Sequence, residues 1–162
     1  MALSKFKDLY ESVILEHSSN PRHHGELPVE CVIDMNNSAC GDVIHLTVDF
    51  NNDTISNLAF NGDGCSITIA SASLMAESVI GKTKDEALQL FERFSDMLAG
   101  KKGEDYESLG EARYLSDLSH FPQRAKCSML PWDALRKAVE TGKPATEEML
   151  YCHILHRNDA HD

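Results

Sequence analysis

Cys40, Asp42, Cys65 and Cys127 are the residues of this chain whose types could do chemistry together. A cysteine thiolate is both a metal ligand and a nucleophile toward sulfur. The five cysteines, Cys31, Cys40, Cys65, Cys127 and Cys152, make an odd number spread along the chain. The opening Met-Ala-Leu-Ser-Lys-Phe-Lys-Asp does not read as a secretory signal. An odd count in such a chain argues for metal or thiol chemistry over a disulfide framework. Gly41 follows Cys40 and Gly64 precedes Cys65, and glycine lets backbone turn sharply and approach a ligand. If Gly41 turns the chain, Cys40 and Asp42 point at one centre. Three thiolates and a carboxylate then complete the four positions of a tetrahedral zinc ion. The spacing has none of the paired Cys-x-x-Cys of a zinc finger, so other readings stay open residue by residue. A lone buried cysteine packs as a small hydrophobe, and an aspartate at a turn bonds its own backbone.

Positioning these residues requires particular elements. Apolar residues from Leu3 to Ile14 recur at helical spacing and predict an amphipathic helix over roughly 3–17, ended by Asn20-Pro21 and Gly25. Val29–Asn36, Asp42–Phe50 and Thr54–Asn61 read as strands joined by short turns, an antiparallel meander. Cys40 falls between the first two strands. After Gly62-Asp63-Gly64-Cys65, the stretch Ser66–Ile80 predicts a mostly buried helix, with Gly81 placed to end it. Thr83 and Glu86 form a capping-box pattern for the next helix, which Gly100 closes. Residues 101–122 are polar and acidic, an inserted segment with a helical turn or two, anchored by Tyr106, Leu109, Tyr114, Leu115 and Leu118. A last helix is expected over Ser128–Thr141, with Cys127 just ahead of it and Pro131 in its first turn. The fold class is α+β, a three-stranded antiparallel sheet with helices packed on one side. One domain over 1–141 is expected, followed by a short helix and tail over 142–162.

Composition bounds the partners. A formal net charge of −11 would repel a phosphate backbone, so nucleic acid is not an expected partner. A protein with a basic docking face fits better. No run of apolar residues is long enough to cross a membrane, and the chain reads as cytoplasmic. Cys31 reads as a packing residue, and Trp132 and Met129 as core of the last helix, with a docking surface as the alternative. His45 reads as facing solvent or a partner, and His23-His24 as a structural or surface loop, not a ligand pair. Cys152, His153, His156 and His161 could form only an adventitious metal site.

Four separated stretches resemble one family. They are Asn20-Pro21-Arg22, then Ala39-Cys40-Gly41-Asp42, then Gly62 to Ile67 with Ala70-Ser71-Ala72-Ser73, and then Arg124-Ala125-Lys126-Cys127-Ser128. In this order over roughly residues 3–140 they look like the IscU/NifU-type iron–sulfur assembly proteins. The resemblance implies the IscU-like (SufE–IscU) fold, with Cys40, Asp42, Cys65 and Cys127 as metal or cluster ligands. Lys126 stands where IscU proteins carry histidine, no Leu-Pro-Pro-Val-Lys run follows Cys127, and the gap before Cys127 is enlarged. These departures resemble the SufU branch, which implies zinc held by three cysteines and one aspartate. They also imply sulfur taken as persulfide from a SufS-type cysteine desulfurase and passed to downstream sulfur or cluster acceptor proteins. Cys40 is then the acceptor, and a desulfurase histidine can replace it on the metal. Arg124 and Lys126 could offset the formal −2 of the loaded site, or be solvated surface cations. The function expected is that of a zinc-dependent sulfurtransferase. The alternatives are a scaffold for a [2Fe–2S] cluster and a structural zinc module.

Overall fold

The structure, a computed structural model, describes residues 2–37, 41–102 and 106–141, with side chains from Asp8 onward. The expected tail helix and the Cys152/His cluster lie outside the described residues. Helix α1 (Ala2–Ser19) leads into strands β1 (Val32–Asn37), β2 (Asp42–Asn51) and β3 (Thr54–Asp63). Helices α2 (Ser66–Val79) and α3 (Lys84–Leu98), a 3-10 segment (Glu107–His120) and helix α4 (Pro122–Thr141) follow. The sheet is antiparallel in the order β1-β2-β3, the expected meander.

Alternation along β2 sends Ile44, Leu46 and Val48 into the core. On β3 the inward residues are Ile55, Leu58 and Phe60, which strict alternation cannot supply. The register explains it. Phe50 pairs with Ile55 while Asp49 pairs with Asn57, so Ser56 is an extra residue, and the bulge brings Ile55 and Leu58 to the same face. Helix α4 lies on β1 and β2 and against α2 and α3. Its Trp132 is fully buried and stacks on Phe94 with ring centroids 4.5 Å apart. Cys31 is buried in the core just ahead of β1, as a packing residue should be. The inserted segment also joins the core through Leu109, Leu115 and Leu118, with Tyr106 and Tyr114 packed at its edge. Gly110, at φ 61° and ψ −135°, breaks it into two short helical pieces. Among the described residues, no helix is long and apolar enough to cross a membrane.

One feature departs from the sequence expectation. Helix α4 begins at Pro122, six residues early, so Cys127 lies inside the helix and Pro131 in its interior. The proline suited to a first helical turn is Pro122, with no N–H to waste and φ already preset. Pro131 instead has no N–H to give the Cys127 carbonyl, a cost helices rarely bear. Helix α2 supplies donors there. The Thr68 hydroxyl lies 3.3 Å from the Cys127 carbonyl oxygen, and the Ser71 hydroxyl donates to the Ser128 carbonyl at 2.6 Å.

His17 is buried as well, at 2% exposure. Ser73 Oγ accepts the Arg22 backbone N–H at 2.8 Å and lies 2.7 Å from His17 Nδ1, while His17 Nε2 lies 3.1 Å from Glu111 Oε2. One network therefore joins α1, the Asn20-Pro21-Arg22 turn, α2 and the inserted segment. Position 17 follows Tyr10, Val13 and Ile14 on the buried stripe of α1, a signal that periodicity carries.

The capping box forms as the sequence predicts. Glu86 N–H donates to Thr83 Oγ1 at 3.1 Å, and Thr83 N–H donates to Glu86 Oε1 at 3.0 Å. The Thr83 backbone donor, then its hydroxyl, holds the Glu86 carboxyl below the usual carboxylate range. A group depressed on folding contributes stability above its unfolded pKa and loses it as pH falls through the folded one. Thermal melts of Glu86→Ala should therefore lie below wild type at neutral pH, with the gap narrowing below about pH 4. Thr83→Ala should cost about 1 kcal/mol in denaturant unfolding. Ser71→Ala, which strips a donor from a buried helix carbonyl, should also cost about 1 kcal/mol in the same measurement.

Candidate metal centre

Asp42 opens β2, paired with Asn37 across the connection that contains Cys40. Gly41 adopts φ 76°, the left-handed turn expected of it, and its N–H bonds the Asn37 carbonyl at 2.7 Å. Cys65 is the residue that caps the N-terminus of α2, with extended φ and ψ of −70° and 167°. Cys127 projects from the early part of α4. Strand, helix start and helix interior thus converge. The ligand atoms of Asp42, Cys65 and Cys127 all lie within 4.8 Å of one another.

The details of the site follow from where α2 starts. Asp42 is buried at 5% exposure, and a buried carboxylate requires hydrogen-bond donors. Its Oδ1 accepts the Cys65 backbone N–H at 3.2 Å, at the helix end where backbone donors and the helix dipole favour negative charge. Its Oδ2 accepts the Thr68 hydroxyl at 2.5 Å and lies 3.6 Å from Cys65 Sγ. Cys127 is buried and Cys65 is exposed. The site is therefore closed on one side and open on the other. Gly64 keeps it compact, since an added Cβ would stand 3.3 Å from Asp42 Cγ and from the Thr68 side chain.

This donor set can coordinate a metal ion. Tetrahedral zinc with its usual ligand distances needs sulfur–oxygen edges of about 3.6 Å. The Cys65–Asp42 edge, at 3.6 Å, is already of that order. Two thiols and a carboxylate also suit a borderline-soft ion.

Of the residues singled out from the sequence, Asp42, Cys65 and Cys127 are brought together, while Cys40 lies outside the described residues. Arg124 is exposed. Its guanidinium sits 5.4 Å over the Phe121 ring and reaches the Tyr10 hydroxyl. Burial raises the Tyr10 pKa, and Arg124 works against that rise. Lys126 is exposed on the wall of a groove shared with Met35, Asn37, Met129 and Asp133. Burial raises the Asp133 carboxyl above its usual range, and Arg136 opposes it. His45, expected to face solvent or a partner, is half-buried between Asp34 at 2.5 Å and Glu26 at 2.6 Å. Thr68 was not anticipated. Its position one turn after Cys65 was the available signal, since residues three apart on a helix share a face.

The chain is similar to known proteins along most of its length. A family model described as the NifU-like N-terminal domain matches residues 9–147. The iron–sulfur cluster assembly scaffold protein IscU of Streptococcus pyogenes serotype M1 is 49% identical over 140 residues, spanning 86% of this chain and 88% of that protein. The zinc-dependent sulfurtransferase SufU of Bacillus subtilis (strain 168) is 45% identical over 131 residues, spanning 81% and 89% respectively. A Fervidobacterium islandicum AW-1 crystal structure, described as an iron–sulfur cluster assembly scaffold for the SUF system, superposes with a TM-score of 0.76. It is 36% identical and covers 81% of this chain and 96% of that one. Fold, ligand geometry and these relatives converge: the chain belongs to the IscU/NifU-like family of iron–sulfur cluster assembly proteins.

Proposed function

We propose that this protein is a zinc-dependent sulfur-transfer protein of iron–sulfur cluster assembly, with Cys40 accepting persulfide sulfur from a SufS-type cysteine desulfurase. The observation that carries this reading is the convergence of Asp42, Cys65 and Cys127 within 4.8 Å, with Cys40 two residues from Asp42. Lys126, where a cluster scaffold of the family would hold histidine, favours it further, as does the name of the Bacillus subtilis relative.

Cys40, Asp42, Cys65 and Cys127 would hold the ion. Zinc, when bound, keeps a coordinating thiol deprotonated at neutral pH and has no redox chemistry with which to oxidise it. The remaining work belongs to the chain. Cys40 Sγ, as thiolate, attacks the outer sulfur of the desulfurase persulfide. A sulfur–sulfur bond forms on Cys40, the desulfurase sulfur–sulfur bond breaks, and its cysteine leaves as thiolate, with no net oxidation. Asp42, Cys65 and Cys127 remain as the frame from which Cys40 departs. Arg124 and Lys126, both exposed near the start of α4, supply positive charge to a chain of net −11 and to an anionic site.

The test is mass spectrometry after incubation with a SufS-type desulfurase and cysteine. The expected result is a gain of about 32 Da, one sulfur atom, on the Cys40 peptide. Cys40→Ala should lose both the adduct and any stimulation of desulfurase turnover. A Cys40→Ala chain that stimulates as well as wild type defeats the acceptor role. Metal analysis of the purified protein should find about one zinc per chain, falling steeply in Cys65→Ser and Asp42→Ala.

A second reading has its own support, because the Streptococcus pyogenes relative is called a cluster scaffold. The same ligands could carry a [2Fe–2S] cluster. Anaerobic reconstitution followed by cluster transfer to an apo-ferredoxin separates the two. Efficient transfer without prior removal of zinc favours the scaffold.

A further inference from the structure

Thr68 has no part in the four-ligand set, yet it touches all three placed members of that set. It is fully buried. Its Oγ1 lies 2.5 Å from Asp42 Oδ2, 3.3 Å from Cys65 Sγ and 3.3 Å from the Cys127 carbonyl oxygen. A hydroxyl carries one proton, so it cannot donate to the carboxylate and the carbonyl together. The much shorter contact assigns that proton to Asp42. The carboxylate is then held at both oxygens, Oδ1 by the Cys65 N–H and Oδ2 by Thr68. Two donors on two oxygens fix the plane of the group as well as its place. The second acceptor is present for a structural reason, since Pro131 has no N–H to give the Cys127 carbonyl.

We infer that Thr68 is a positioning residue for the metal centre, its hydroxyl orienting the Asp42 carboxylate toward the two thiols. Groups behind metal ligands commonly set ligand orientation in this way. The inference rests on the metal-binding reading above and adds a residue outside the ligand set.

The test compares wild type, Thr68→Val and Thr68→Ser as full-length chains. Valine keeps the shape and removes the hydroxyl, while serine restores it. Zinc affinity is read by competition with a chromogenic chelator, and site geometry by the visible spectrum of the Co²⁺ form. The expected result is a loss of roughly 10–100-fold in affinity for Thr68→Val, a changed Co²⁺ spectrum, and recovery in Thr68→Ser. In an Asp42→Ala background, Thr68→Val should cause no further loss, because the group it positions is gone. Affinity within about twofold of wild type in Thr68→Val overturns the inference, as does an equal loss with Asp42 absent. Thr68→Ala provides the same comparison if the valine variant does not fold. A wild-type chain that holds no metal overturns both this role and the proposed function, whereas an unaffected Thr68→Val overturns this role alone.

Discussion

A carboxylate buried at the start of a helix is the constraint on which the rest of this structure turns. Asp42 is enclosed at 5% exposure, and the enclosure is tolerable because α2 begins there. The Cys65 N–H and the Thr68 hydroxyl meet its two oxygens, and the helix dipole favours its charge. The sheet must then deliver the first residue of β2 to the first turn of α2. The β1–β2 and β2–β3 pairings do so, with Val43 opposite Asp63 in the strand that leads straight into Cys65.

Helix α2 is the organiser of the molecule because of its hydroxyls. Thr68, Ser71 and Ser73 are all fully buried, and each has a distinct partner. Thr68 serves the carboxylate, Ser71 the Ser128 carbonyl beside Pro131, and Ser73 the His17 imidazole. Small polar side chains let α1 and α4 approach α2 closely while meeting buried acceptors that alanine would leave bare. Helix α4 can in turn carry a proline in its interior and still present Cys127 to the site.

The sequence made the sheet, the capping box at Thr83 and Glu86, and the buried α2 legible, because each rests on local periodicity or capping chemistry. It also singled out Asp42 and Cys65, which stand beside Gly41 and Gly64, and Cys127. The start of α4 was not legible. Two prolines compete for the first helical turn, and what excuses Pro131 comes from a helix nearly sixty residues earlier in the chain. The bulge at Ser56 depends on the β2 partner, and the His17 network on four segments that meet only when folded. Thr68 looked like one more buried residue of an apolar helix, since nothing local shows which acceptor its hydroxyl will find.

The short link between β1 and β2 has a consequence for how sulfur could travel. Asn37 and Asp42 are paired across the sheet, so only four residues, Cys40 among them, span the gap. Four residues reach at most about 14 Å when fully extended, far less than a long carrier arm covers. Under the proposed function, the distance must be closed by the donor. The exposed flank beside Cys65 is the side from which it can come, since Cys127 and Asp42 are walled in by the helices behind them. The cargo would thus pass by close docking of two proteins and a short handover.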